Sequence, residues 1–246
     1  MTLCYRIVGN GAPLVLIHGI GVTYSIWENL VPLLSPYYKL IMVELPGHGS
    51  SPSLPKRAPY YAASADELDA LRRDLNIEQW DILAYSVGAW VAQAYGERYP
   101  QHIQHLMILC PAVLTLPGWA SMRNIIWLDR HSPTIGTWLL SGWRLHTLVC
   151  LLGFGGHDNA YAGQWTREIS AQPEQLIKRL LVQMPGAGRA DFRLPSRPVR
   201  ILWARQDVIS DRPRHMRSFD RLIPGHHSAP LLSAQEIAEE VLTFAC

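Results

Sequence analysis

The chain has 246 residues, of which 48% are hydrophobic and 17% are charged, and its formal net charge is +2. This balance is typical of a compact globular protein and excludes a disordered chain. The small net charge, without a basic stripe or zinc-knuckle spacing, also indicates that nucleic acid is not a partner.

The N-terminus has no long apolar segment of the kind found in signal peptides, and strand-like sequence begins at Leu3, so we expect a cytoplasmic protein. The longest apolar tract, Trp138 to Phe154, contains Arg144 and His146 and is short for a membrane span. We therefore predict no membrane span. The cysteines form no C-x-x-C pair and indicate neither a zinc site nor a redox motif; they are Cys4, Cys110, Cys150 and Cys246.

The first half of the chain alternates strand-like and helix-like segments. Strands are predicted at 3–8, which reads as an edge strand, and at 13–17, 40–44, 80–84 and 103–109. Apolar residues at helical spacing lie between them, at 26–34, 63–75 and 87–94. This alternation predicts an α/β protein with a mainly parallel sheet and right-handed crossovers.

The alternation of strand-like and helix-like segments ends at Ala112. From there to about Arg193 the sequence is rich in Trp and Leu at helical spacing and contains no convincing strand. Strands at 199–203 and 219–223 and a closing helix near 237–242 then complete the pattern. We therefore predict a core formed by 1–111 and 194–246, with a helical insertion at 112–193.

The segment 80–90 combines an apolar strand, a Ser between small residues and a helical pattern, and its centre reads A-x-S-x-G around Ser86. A Ser on a sharp turn between a strand and a helix exposes its hydroxyl as a nucleophile. A Ser that opens a helix also commonly caps it, by accepting a hydrogen bond from a backbone N–H. The segment by itself does not separate these two interpretations.

Four further motifs follow in a fixed order: His18-Gly19 after an early strand, Leu45-Pro46-Gly47-His48-Gly49-Ser50-Ser51 with Glu44 before it, Trp203-Ala204-Arg205-Gln206-Asp207, and Pro224-Gly225-His226-His227. With Ser86, this order resembles the α/β-hydrolase superfamily, specifically its cap-bearing, esterase-like members. The turn motif resembles D-x-P-G-x-G-x-S with Glu in place of Asp, and A-x-x-D replaces G-x-x-D. The resemblance implies an α/β-hydrolase fold with a helical cap at 112–193, inserted after the strand at 103–109.

The resemblance also implies a Ser-His-Asp triad in the order that this fold uses. Ser86 would be the nucleophile, His227 would take its proton, and Asp207 would orient the imidazole. Asp211 is a rival acid, although it fits the cap of the following helix better. His226 is the second choice for the base, because only one of two adjacent histidines can face the nucleophile.

Two backbone N–H groups, those of Ile20 and Val87, are the oxyanion donors that the resemblance implies. His18 and His48 are interpreted as structural residues that hold loops by hydrogen bonds. The remaining histidines considered lie in the insertion at no metal-ligand spacing; they are His131, His146 and His157. No metal or organic cofactor is expected.

The predicted activity is that of a serine hydrolase that cleaves a carboxylic ester with a hydrophobic acyl or alcohol part through an acyl-enzyme. A thioesterase, a lactonase or a carbon–carbon bond hydrolase would use the same triad, and a slow-turnover ligand receptor is an alternative of another class. Most tryptophans of the insertion are expected to pack a small helical layer, and some to face the pocket and form an apolar roof. They are Trp119, Trp127, Trp138, Trp143 and Trp165.

The insertion and the segment that follows it also carry an excess of basic residues. These are Arg123, Arg130, Arg144, Arg167, Lys178, Arg179, Arg189, Arg193 and Arg197. They could form an ordinary solvated surface. The alternative is that they dock an acidic carrier protein or a carboxylated substrate, as the resemblance to carboxylesterases acting on carrier-bound acyl methyl esters allows.

Overall fold

A computed structural model of the chain describes residues 2–112, 142–184, 197–210 and 216–244. Within these ranges the strands are β1 (Tyr5–Val8), β2 (Ala12–Ile17), β3 (Tyr38–Val43), β4 (Trp80–Tyr85), β5 (Ile103–Leu109), β6 (Val199–Ala204) and β7 (Arg221–Ile223). They form one sheet in the order β1-β3-β2-β4-β5-β6-β7. β1 pairs antiparallel at one edge, and every other pair is parallel. The predicted mainly parallel sheet with an edge strand at the start is confirmed.

Helices flank this sheet. In the described ranges they are α1 (Val31–Leu34), α2 (Tyr60–Asp74), α3 (Gly88–Arg98), α4 (Gly142–Phe154), α5 (Ala160–Ala171), α6 (Glu174–Gln183), α7 (Ala229–Leu232) and α8 (Ala234–Phe244). Successive residues of β2 enter different cores: Val15 packs with the α2 and α3 side, and Leu16 packs with the α1 and α8 side. Because both faces are covered, the inner strands are apolar throughout rather than alternating.

The single helix predicted at 26–34 is wrong. The structure has a 3-10 helix at Tyr24–Trp27, followed by the short helix α1. Pro32 lies in the first turn of α1, where its missing N–H costs nothing, whereas a continuous helix would lose a hydrogen bond at this position. The apolar spacing nevertheless predicted correctly which side chains are buried, because Trp27 and Leu34 are fully buried.

The described part of the predicted insertion, 142–184, contains α4, α5 and α6 and no strand. Residues 113–141 and 185–196 lie outside the described ranges, so the domain boundaries remain a prediction. Among the described residues, no helix is both long enough and apolar enough to cross a membrane.

The start of α3 lies very close to the end of β2. A Cβ atom added to Gly88 would lie 2.5 Å from the backbone oxygen of His18 and 2.7 Å from that of Ile17. This close approach requires a residue without a side chain at the start of α3. We expect Gly88→Ala to lower the free energy of unfolding by about 2 kcal/mol, because backbone atoms must move to admit the methyl group.

Urea unfolding followed by circular dichroism measures this effect. Gly163→Ala is the matched control, since Gly163 lies inside α5 and its added Cβ would meet only Arg167 Nη1, at 3.4 Å. The control should raise stability by about 0.5–1 kcal/mol through helix propensity. Equal effects of the two substitutions would contradict the close approach of α3 to β2.

Candidate active site

Ser86 lies on the turn between β4 and α3, with a backbone φ of +53°. Positive φ is uncommon for a residue with a side chain and is typical of strained functional positions. The N-cap of α3 is Val87, and no side chain caps this helix. Ser86 is therefore not the helix cap that the sequence left open. Its Oγ lies instead 2.8 Å from His227 Nε2.

His227 joins Ser86 to Asp207. Its Nδ1 lies 2.8 Å from Asp207 Oδ2. A carboxylate only accepts hydrogen bonds, so Nδ1 carries a proton and Nε2 is left to accept the Ser86 hydroxyl proton. All three side chains are buried. The structure thus brings together the three side chains that the sequence placed in one site, in a continuous hydrogen-bonded line.

The turn after β6 fixes the Asp207 carboxylate. Its Oδ1 accepts from the backbone N–H groups of Ile209, at 2.8 Å, and Ser210, at 3.1 Å. Burial alone would raise the pKa of Asp207, but the charge and hydrogen bond of His227, together with the bonds from Ile209 and Ser210, lower it to about 2. Asp207 is therefore ionised at neutral pH. The rival acid, Asp211, lies outside the described residues.

His226 takes no part in this line. Its Nδ1 lies 3.2 Å from the backbone oxygen of Gln206, and the Gln206 side chain accepts from Gly225 N at 2.9 Å. These contacts connect the loop that carries His227 to the loop that carries Asp207. A Cβ on Gly155, at the end of α4, would collide with the His226 ring, so the same loop also packs against α4.

The backbone N–H groups of Ile20 and Val87 face no acceptor: in the part of the chain that the structure describes, neither donates a hydrogen bond. Both residues line the same cavity as Ser86. Gly19 permits this arrangement, since a Cβ there would lie 2.9 Å from Ser86 Cβ. Two unpartnered donors beside a nucleophile are what an oxyanion requires.

Two buried histidines hold the loops around these donors. His18 Nε2 accepts from Leu45 N at 3.0 Å, and His48 Nε2 accepts from Gly21 N at 3.2 Å. Burial lowers the pKa of His18 to about 4 and that of His48 well below 6.5. Both are neutral at neutral pH and can accept these bonds. Their predicted structural role is confirmed.

Glu168 of α5 also binds the loop that follows β2, a contact that sequence reasoning missed. Its carboxylate accepts from Thr23 N at 3.0 Å and from Ser25 Oγ at 2.5 Å. Nothing in the local sequence pairs residues that lie 145 positions apart. The contact connects the described insertion directly to the segment that presents Ile20.

Ser86 opens into a cavity of about 260 Å³. The lining outside the hydrogen-bonded line is almost entirely aliphatic or aromatic and comes largely from α4, α5 and α6, including Leu145, Leu148, Val149, Leu152, Trp165, Ile169, Ile177 and Leu181. Such a surface favours an apolar ligand and offers few partners for a polar one.

Tyr85 has a role that the sequence did not indicate. Its hydroxyl donates to the backbone oxygen of His227 at 2.6 Å, and the two rings lie 5.1 Å apart. The pKa of Tyr85 is raised well above 10, mainly by burial and to a smaller extent by the nearby Cys110 and Asp207. The phenol therefore keeps its proton and remains a donor. Tyr85, which precedes Ser86 in the chain, therefore helps to hold His227, which contacts Ser86.

On the expectation from the sequence that Ser86, His227 and Asp207 form the triad of an ester hydrolase, Tyr85→Phe should lower kcat about 10-fold with little change in KM, because one buried hydrogen bond of about 1–1.5 kcal/mol no longer positions His227. Steady-state kinetics on a small ester, together with the thermal midpoint, measures this effect. Tyr99→Phe is the control, since Tyr99 donates to Asp66 from the end of α3. A Tyr85 variant that loses stability but keeps kcat would argue against positioning.

Comparisons with known proteins agree with this geometry. A family model for the alpha/beta hydrolase fold matches residues 12–131. This match agrees with the parallel sheet and with the turn after β4. The chain has the α/β-hydrolase fold. The family model matches the segment from β2 past β5, which includes both Ile20 and Ser86.

This α/β-hydrolase chain is similar to curated proteins named pimeloyl-[acyl-carrier protein] methyl ester esterase. The protein from Methylococcus capsulatus is 34% identical over 127 residues, which are 51% of this chain and 48% of that protein. The one from Nitrosomonas europaea is 25% identical over 82% of this chain and 80% of its own length. The chain therefore spans about half the length of the first relative.

Among solved structures, an esterase from Exiguobacterium antarcticum superposes with a TM-score of 0.79 over 99% of this chain and 95% of that one, at 16% identity. At such low identity the likeness shows the fold alone. It confirms the α/β-hydrolase architecture that the sequence predicted.

Proposed function

We propose that this chain is a serine hydrolase that cleaves carboxylic esters with a hydrophobic acyl or alcohol part. One observation carries the proposal: a buried Ser–His–Asp hydrogen-bonded line opens into an apolar cavity, beside two backbone N–H groups that have no acceptor among the described residues. A Ser hydroxyl is a poor nucleophile at neutral pH and gains its reactivity from an adjacent base. The line supplies that base in the required tautomer.

The reaction follows from the geometry. Ser86 Oγ attacks the ester carbonyl carbon while His227 Nε2 takes the hydroxyl proton, and the N–H groups of Ile20 and Val87 bind the developing oxyanion. The imidazolium then protonates the departing alkoxide, which leaves an acyl ester on Ser86. Water attacks this ester with His227 as the base, and the product acid departs. Asp207 stabilises the imidazolium in both steps.

A series of p-nitrophenyl esters tests the activity. We expect multiple turnovers, with kcat/KM rising from the acetate to the hexanoate, because each added methylene enters an apolar cavity. A single slow turnover that leaves Ser86 acylated would instead indicate a ligand receptor. Matched thioester and lactone substrates identify the preferred bond, since a thioesterase, a lactonase and a carbon–carbon bond hydrolase use the same groups.

We further propose, from the names of the similar esterases, that the acyl group is presented by an acidic carrier protein docked on α4, α5 and α6. The described basic residues are not equivalent for this role. Arg179 of α6 donates to the backbone oxygens of Leu54, Pro55 and Ala58. These hydrogen bonds attach α6 to the loop before α2, so Arg179 has a structural role. Arg167 is exposed on α5 and is the residue to test.

Arg167→Glu should impair hydrolysis of a carrier-linked ester while hydrolysis of a p-nitrophenyl ester is unchanged, because only the larger substrate contacts the outer surface. Arg6→Glu, on the exposed edge strand β1, is the control and should affect neither substrate. Equal losses on both substrates would contradict carrier docking at α5 but leave the ester hydrolase intact. The proposed cap arginines at 123, 130, 189 and 193 lie outside the described residues.

A further inference from the structure

A second polar cluster lies in α4 and the loop that follows it. His146 and Cys150 are four residues apart and therefore share one face of α4, and Asp158 comes from the loop before α5. One ligand atom from each of the three lies within 4.8 Å of the others. His146 Nε2 is 3.1 Å from Asp158 Oδ1 and 3.6 Å from Cys150 Sγ. Spacing alone predicted no metal site here, because the third residue lies beyond the end of the helix.

The imidazole ring of His146 is held in one orientation. Its Nδ1 lies 2.9 Å from Thr166 Oγ1, and the Thr166 hydroxyl donates to the backbone oxygen of Ala162 at 2.8 Å. Because the hydroxyl has only one proton, it accepts from Nδ1–H. Neutral His146 then presents the Nε2 lone pair to Cys150 and Asp158. Metal-binding histidines are typically fixed by such a bond from the second ring nitrogen.

Two of the three distances between the ligand atoms match the edges of a tetrahedral zinc site. Bonds of about 2.0–2.1 Å to nitrogen and oxygen and about 2.3 Å to sulfur put N and S about 3.6 Å apart, and N and O about 3.3 Å apart. The observed separations are 3.6 Å and 3.1 Å. The Asp158 side chain is 73% exposed, so it can rotate to bring its oxygen nearer to Cys150 Sγ.

We propose that His146, Cys150 and Asp158 bind a divalent cation of the zinc class, with water as the fourth ligand. The donor set of imidazole, thiolate and carboxylate suits Zn²⁺ or Co²⁺ and disfavours Mg²⁺ and Ca²⁺, which take oxygen ligands. The bound ion joins the loop after α4 to α4 itself. It takes no part in the reaction at Ser86.

The proposed ion connects α4 to the loop after it, which affects the wall of the cavity at Ser86. Leu145, Val149 and Leu152 of the same helix line the cavity at Ser86, and Thr166, which holds the His146 ring, belongs to α5. Metal binding therefore fixes two of the helices that form the apolar wall. Because the ion binds the folded chain, it should raise the thermal midpoint in proportion to the logarithm of its concentration.

The test uses the full chain without a histidine tag, freed of metal by a chelator. We expect one equivalent of Zn²⁺ to bind in isothermal titration calorimetry. Co²⁺ should produce a thiolate charge-transfer band in the near ultraviolet and the intense visible bands of a tetrahedral ion. Cys150→Ser should abolish the charge-transfer band. Thr166→Val should weaken binding about 10-fold or more by releasing the His146 ring.

Cys4→Ser and His102→Gln are the matched controls. Cys4 contacts Ser51 and Glu44, and His102 contacts Glu78, so both variants should bind Zn²⁺ as the parent does. A charge-transfer band that survives in Cys150→Ser would overturn the proposal. So would the absence of saturable Zn²⁺ binding in a chain whose circular dichroism is native, which would leave His146 and Asp158 as a simple ion pair.

Discussion

Replacing His227 with Ala should lower kcat/KM for a p-nitrophenyl ester by about four to six orders of magnitude, whereas His226→Ala should change it less than about threefold. The two rings are adjacent in sequence, but only His227 contacts both Ser86 and Asp207. Without its imidazole the Ser86 proton has no acceptor. The His226 ring contacts the Gln206 carbonyl instead, so its loss affects only the loop.

Steady-state kinetics with matched protein concentrations measures the two rates, and a fluorophosphonate label detected by intact mass reports the reactivity of Ser86 independently of the substrate. The His227 variant should resist the label and the His226 variant should accept it. Circular dichroism and the thermal midpoint verify that both variants fold. A reversed order, with His226→Ala inactive and His227→Ala active, would reassign the base.

Acidification from neutral pH to about pH 4 should destabilise the protein. The pKa of His18 is lowered from 6.5 to about 4 chiefly by burial. The unfolded chain therefore binds a proton between these values that the folded chain does not, so stability is present above pH 6.5 and is lost as the pH falls to about 4. The shift corresponds to about 3 kcal/mol. His48, whose ring lies 4.8 Å from that of His18, contributes in the same direction.

Urea unfolding at several pH values between about 7 and 4 measures the loss. His18→Gln keeps an acceptor for Leu45 N but cannot become charged, so its stability should depend less on pH even if it is lower throughout. His157→Gln is the control, because His157 is exposed and its replacement should leave the profile of the parent. A His18 variant with the parental slope would show that another group drives acid unfolding.

The sequence was most informative where local chemistry determines the outcome. The apolar runs that became β2, β4 and β5 are buried on both faces, and the turn at Ser86 needs a strand before it and a small-residue helix after it. The placement of Asp207 and His227 also followed from the ends of predicted elements. The resemblance supplied their roles, and the structure supplied their contacts.

The features that the sequence did not reveal depend on contacts between distant segments. The hydroxyl of Tyr85 reaches a carbonyl 142 residues away, and Glu168 reaches the loop after β2. Neither partner is marked by spacing or composition. The spacing of His146 and Cys150 was visible as a four-residue interval on an apolar helix, but its meaning depended on where the loop placed Asp158.

The contacts of His227 differ greatly in their separation along the chain. Asp207 and His227 are 20 residues apart, whereas Ser86 and His227 are separated by 141. Segments close in sequence can meet early during folding, while distant ones must wait until the intervening strands have paired. The contact between Asp207 and His227 can therefore form within the C-terminal segment, but the contact between Ser86 and His227 forms only after β4, β5 and β6 are joined. Covalent labelling of Ser86 during refolding would time the completion of the sheet.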